Sequence, residues 1–117
     1  MKERSYILSE EEIDKIEEKI RQVGQEVIDL LCEKNRSYGG SAFSPIRIFS
    51  KLSPEEAVKI RIDDKLCRII GGREDAFGED AIKDLIGYLI ILLTLRRMKN
   101  ETENDSPDNP CDILRRM

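Results

Sequence analysis

Apolar residues recur with a helical step along the first third of the chain. Ile13, Ile16, Ile20, Val23, Val27 and Leu30 stand three and four apart, which draws one narrow apolar seam down a single helix. Just before it, Ser9-Glu10-Glu11-Glu12 has the form of a capping box. In that motif the serine hydroxyl and the glutamate carboxylate each satisfy a backbone N–H at the helix start. Leu8 and Ile13 fall at the positions of a hydrophobic staple. The pattern predicts a helix to about Asn35, roughly 40 Å long at 1.5 Å per residue. Gly24 costs it about 1 kcal/mol relative to alanine and reads as the mark of a close helix crossing. Tyr38-Gly39-Gly40-Ser41 ends it, because paired glycines adopt the left-handed backbone that a helix C-terminus requires.

Three further segments follow. Pro45, preceded by Ser44 and set among Phe43, Ile46, Ile48 and Phe49, predicts a short helix of one or two turns. Ser53-Pro54-Glu55-Glu56 opens the next helix with serine at the cap and proline at the first helical position, and Gly71-Gly72 stops it after Ile70. A last helix reads from Asp80 to about Lys99. Beyond it NETENDSPDNP is polar and proline-broken, so residues 100–117 read as a flexible tail whose Ile113 and Leu114 are placed to dock on a neighbouring subunit. The expected fold is all-α: a small bundle of three main helices plus one short helix, one domain over residues 1–99. Ile82, Leu85, Ile86, Leu89, Ile90, Leu92 and Leu93 circle the last helix, more apolar surface than two neighbouring helices cover. Completion by homo-oligomerisation is therefore expected.

Composition narrows the function. The chain has 117 residues, 39% of them apolar, enough for one modest core. Its 24 acidic and 20 basic residues leave a net charge of −4, which offers no overall attraction to the phosphates of duplex DNA. Cys32, Cys67 and Cys111 lack the spacing of a zinc or redox site and read as free thiols of a reducing cytoplasm. The N-terminus has no apolar run of signal-peptide length, and Leu85 to Leu95 is too short to cross a membrane. The chain contains no histidine, so any acid–base work falls to carboxylates, lysine, tyrosine or metal-bound water.

Candidate chemistry lies in three places. In the helix after Ser53, Arg61, Asp64, Lys65 and Arg68 share one face, bordered by Val58, Ile62, Leu66 and Ile69 on one side and by Ile60 and Cys67 on the other. Such a stripe can line a polar cavity where cationic donors meet phosphate oxygens; equally, it can be a solvated face with internal ion pairs. On the last helix Asp84 lies with Gly87, Tyr88, Ile91 and Leu95 on an inward side, with Asp80 one turn earlier. Two carboxylates at this spacing can hold Mg²⁺; alternatively Asp80 serves the helix N-terminus and Asp84 pairs with Arg61 or Arg68. Glu26, Asp29 and Glu33 either face those acids or form the wet side of the first helix. The loop from Lys34 to Ser41 offers backbone N–H groups, hydroxyls and an aromatic ring to a nucleotide, or is a plain helix cap.

The succession KN-x-x-YG-x-S, R-I-x-D-K-L-x-R-I and D-x3-DL-x2-Y resembles the phage and bacterial family called nucleotide modification associated domain, type 1, over about residues 30–95. The resemblance implies a small helical protein of nucleotide metabolism, working in the cytoplasm of a bacterial host cell. It assigns Lys34, Asn35, Tyr38, Gly39 and Ser41 to a first motif, Arg61, Asp64, Lys65 and Arg68 to a second, and Asp80, Asp84 and Tyr88 to a third. Ser37 stands where that family commonly has aspartate. The chain is more remotely similar to the all-α NTP pyrophosphohydrolases, the MazG and dimeric dUTPase group, which bind Mg²⁺ through ExxE and ExxD on two helices. Here Glu26-Val27-Ile28-Asp29 only approximates the first, and Ala81 occupies the acidic position three before Asp84.

Three functions follow as expectations. The first is Mg²⁺-dependent nucleotide processing, with Asp80 and Asp84 as metal-binding catalytic residues and Arg61, Lys65 and Arg68 neutralising phosphates. The second is stoichiometric sequestration of a nucleotide or cyclic nucleotide second messenger, in the service of a phage against host defence. The third is a helical assembly protein without a ligand.

Overall fold

The computed structural model describes residues 7–73, 75, 78 and 80–104, and it is all-helical, with no strand among them. Helix α1 spans Glu10–Ser37, α2 spans Pro54–Ile70 and α3 spans Ala81–Asn104.

The helix ends are built by local chemistry. At α1 the Ser9 hydroxyl accepts the Glu12 N–H at 3.2 Å and the Glu12 carboxylate accepts the Ser9 N–H at 3.2 Å, the reciprocal pair of a capping box. Ser53 accepts the Glu56 N–H at 3.2 Å with Pro54 in the first turn of α2. Both α1 and α2 close with a Schellman arrangement. Gly39 (φ +64°) and Gly40 donate to the carbonyls of Arg36 and Asn35, at 3.2 and 2.8 Å, while Gly72 (φ +71°) and Arg73 donate to those of Ile69 and Arg68, at 3.1 and 2.8 Å.

Two boundaries differ from expectation. Residues 44–53 form bends and irregular backbone, so no short helix opens at Pro45. Arg47 at φ +58° takes the left-handed region, which no right-handed helix passes through. Helix α3 continues to Asn104, five residues past Lys99, because nothing between Asn100 and Asn104 breaks a helix. The rest of the expected tail, with Cys111, Ile113 and Leu114, lies outside the described residues.

Helix α3 is the hub. Helices α1 and α2 both pack against it and not against one another. Helix α2 runs antiparallel along it, fixed at one end by Lys65 to Asp84 at 3.2 Å and at the other by Arg96 to Glu55 at 3.3 Å. Helix α1 meets α3 only through its C-terminal half, where Leu31 Cδ1 lies 3.6 Å from the position a Cβ would take on the buried Gly87. Among the described residues the buried hydrophobic positions are Val27, Val58, Ala81 and Ile91, and none of the larger side chains is fully enclosed. The radius of gyration is 19.3 Å, against roughly 13 Å for a compact domain of about 100 residues. The excess reflects the N-terminal half of α1, which projects from the rest with Ile13, Ile16, Ile20 and Val23 exposed.

Gly87→Ala should leave stability unchanged or raise it by up to about 1 kcal/mol, since a methyl there makes ordinary contact with Leu31 and alanine is the better helix former. Gly87→Leu should cost about 1–3 kcal/mol by forcing α1 off α3. Urea unfolding of both variants checks the pair, and a tolerated leucine would mean that α1 is not seated there. A second expectation concerns pH. Hydrogen bonding to Arg96 and then Lys59 holds the Glu55 carboxyl below its usual range, so its contribution is present above the ordinary carboxylate pKa and is lost as pH falls through the lowered value. Wild type and Glu55→Gln should therefore differ slightly in stability at neutral pH and converge once pH falls below the lowered value, as read by thermal melts.

Candidate functional site

The three sequence motifs meet at one carboxylate. Asp84, in the first turn of α3, faces the junction of all three helices and is about three-quarters buried. Lys65 reaches it from α2, Nζ to Oδ2 at 3.2 Å, with its side chain only 13% exposed. Lys34 reaches the other oxygen from the last turn of α1 at 3.9 Å and is half-exposed. The helical spacing of Lys65 with Val58 and Ile62 turns its aliphatic stem toward α3, and its ammonium then has Asp84 as partner. The expected partners of Asp84 were Arg61 or Arg68; the lysines take that place. A face can be read from spacing, but which residue on that face reaches a neighbour depends on the axial offset between helices.

The flanking groups follow from the same helices. Arg61 and Arg68 lie one turn to either side of Lys65 on α2, Arg61 and Asp64 exposed and Arg68 half-buried. Tyr88 stands one turn beyond Asp84 on the inward side of α3 and is half-buried, as Leu95 is; Gly87 and Ile91 on that side are buried. That side of α3 is thus the inward one that its spacing predicts.

Other candidates are engaged differently. Asp80 is the N-cap of α3: its Oδ1 accepts the Lys83 N–H at 3.0 Å. In the loop after α1, the N–H groups of Tyr38, Gly39 and Gly40 donate to the carbonyls of Lys34, Arg36 and Asn35 at 2.8–3.2 Å. Those three amides close the helix and cannot also cradle a phosphate. What the loop can offer a ligand is side chains: Asn35, Tyr38 and Ser41 are all exposed. Glu26, Asp29 and Glu33 are exposed on α1, and Asp29 accepts from Gln25 Nε2 at 2.8 Å.

This donor set does not suit Mg²⁺. A divalent hard cation at Asp84 would sit beside two ammonium groups that already neutralise the carboxylate, and Asp80 has one oxygen committed to the helix start. No group of three or more acidic, cysteine or histidine side chains among the described residues is placed to hold a metal ion. The arrangement instead gathers two ammonium groups around one partly sheltered acid.

One neighbouring feature escaped sequence reasoning. Cys32, Glu33, Arg36 and Ser37 line a hollow of ≈380 Å³ on the last turns of α1. The i, i+4 spacing of Cys32 with Arg36 and of Glu33 with Ser37 was the available signal, and it is too common on helices to single out a hollow.

Removing Asp84 takes from the largely covered Lys65 ammonium its partner on α3, so Asp84→Ala should lower stability by about 2 kcal/mol. Replacing both, as Lys65→Met with Asp84→Asn, should recover much of that loss. A double-mutant cycle in urea checks it, and strictly additive costs would show that the pair is not coupled.

Compared with known proteins, the chain matches no protein-family model, no curated protein and no solved structure.

Proposed function

We propose that this protein binds a phosphorylated nucleotide, cyclic forms included, at the junction of the α1 C-terminus, α2 and α3, and holds it without turning it over. The observation that carries this reading is the convergence of Lys34 and Lys65, from two helices that do not pack together, on the single carboxylate of Asp84. Two ammonium groups gathered at one acid offer an incoming anion two cationic donors. A phosphate dianion offers them more charge and more acceptor oxygens than Asp84 does. Lys34, at 3.9 Å and half-exposed, is the looser of the two and the one able to swing onto an incoming phosphate. Arg61 and Arg68, one turn to either side of Lys65, extend the cationic face along α2, and Tyr88 supplies an aromatic ring one turn from Asp84 for a base. The likeness of the three motifs to a nucleotide-associated family supports the same ligand class.

Holding is favoured over hydrolysis by the engagement of the two acids. Asp80 caps α3 and Asp84 is neutralised by lysines, which leaves no carboxylate pair placed to position a metal and activate water.

Stoichiometric protein at about 50 µM, incubated in EDTA with a mixed pool of linear and cyclic nucleotides, should remove one peak from a chromatogram and return it unchanged on denaturation. Lys65→Glu should weaken that retention at least about tenfold, whereas Lys59→Glu on the outer face of α2 should not change it. Asp84→Asn should retain nucleotide as well as wild type or better, since it removes the competing acid. No peak retained would sink the reading; a new product formed only with Mg²⁺ and lost in Asp84→Asn would replace it with catalysis.

A further inference from the structure

One hollow among the described residues is apolar and open. Ile16, Ile20, Val23 and Val27 of α1 and Ile86 of α3 line a groove of ≈730 Å³, with Lys15 and Lys19 at its rim. It lies where α1 diverges from α3 beyond the Leu31 to Gly87 contact. Its floor is continuous with the core through the buried Val27. Its walls are not covered: Ile16, Ile20 and Val23 are 46%, 64% and 55% exposed, and Ile86 on α3 is 37% exposed.

From this geometry we infer that the groove is filled by the N-terminal half of α1 from a second copy of the chain, in a reciprocal two-fold pair. Three observations select that occupant. The first is fit. The groove runs from Ile16 to Val27, about 17 Å of helix, and the projecting half of α1 from Glu10 to Val23 is about 20 Å long, with its own apolar seam at Ile13, Ile16, Ile20 and Val23. The second is closure. Each copy has one such groove and one such arm, so a two-fold exchange covers both and leaves no open end for further addition. The third is need. With Val27, Val58, Ala81 and Ile91 as the buried hydrophobic residues among those described, one copy has too little core to be stable alone.

The pairing has a consequence for the lysine cluster. Helix α1 touches α3 only near Leu31, and a partner helix wedged between them fixes the angle at which Lys34 reaches Asp84.

The test is solution mass by sedimentation equilibrium, with helicity followed by circular dichroism. Wild type should have twice the 13.5 kDa chain mass at about 50 µM, with a melting temperature that rises with protein concentration. Ile20→Asp places a carboxylate in the groove at a position already exposed in one copy, and should weaken association by at least roughly 100-fold and halve the mass. Ile60→Asp, 48% exposed but on α2, should keep the wild-type mass. A wild type that is monomeric throughout overturns the inference and assigns the groove to another occupant. An Ile20→Asp protein of wild-type mass, or an Ile60→Asp protein that dissociates equally, overturns the assignment to this groove. Should Ile20→Asp fail to fold, dilution of wild type decides: loss of helix at a concentration-dependent midpoint supports the pair, and a helical monomer at every concentration refutes it. None of these readouts involves a nucleotide, so the pair and the binding reading stand or fall separately.

Discussion

One turn of α3, from Asp84 to Gly87, holds the other two helices in place. On it, Asp84 draws Lys65 from α2 and Lys34 from α1, and Gly87 gives Leu31 room to approach the helix axis. Because α1 and α2 do not pack together, their relative placement is transmitted through α3. A polar contact and a steric one act on the same few residues. The glycine sets how near α1 can come, and the acid sets which of its residues ends up opposite α2. A charged side chain that is largely covered needs a partner to offset its desolvation. The same carboxylate therefore organises the fold and defines the candidate site.

The distribution of apolar surface has a related origin. A helix with apolar residues on all sides, such as α3, demands neighbours on all sides, and two helices of 28 and 17 residues do not surround it. Half of α1 departs from α3 altogether and carries its seam into solvent. With so little side-chain volume enclosed among the described residues, the forces that fold one copy are the same as those that would join two. The groove between α1 and α3 is then unfinished core.

What was legible in the sequence was local. The capping box at Ser9, the Ser-Pro start at residues 53 and 54, and the paired glycines after α1 and α2 act within five or six residues of backbone, so their outcome does not depend on the rest of the fold. The inward side of α3 was legible too, because a helical wheel needs only the period. Two features went beyond local chemistry. Pro45 is a permissive start signal with no apolar periodicity behind it, and the chain turns through a left-handed Arg47 instead of coiling. The end of α3 was placed too early because a polar run was read as a stop, although polar residues of this kind do not break helices and the next proline is Pro107. The partners of Asp84 required the offset between α2 and α3, a property of packing that no single helix encodes. They came out as lysines where arginines were expected.

That substitution matters for chemistry. An arginine presents a rigid fork that suits a bidentate pair with a carboxylate, whereas a lysine is a compact charge on a flexible stem that can change partners by rotating. In the proposed reading Asp84, held by two lysines, is a provisional counter-ion that keeps the ammonium groups together. A phosphate entering the junction would meet two cations already positioned, with a carboxylate that can be displaced from at least Lys34 without unfolding any helix. Were the same carboxylate to hold Mg²⁺, both lysines would have to leave, and the contact that locates α1 and α2 on α3 would go with them. In that reading the electrostatics of one residue would tie the stability of the three-helix junction to anion binding and set it against metal-assisted hydrolysis.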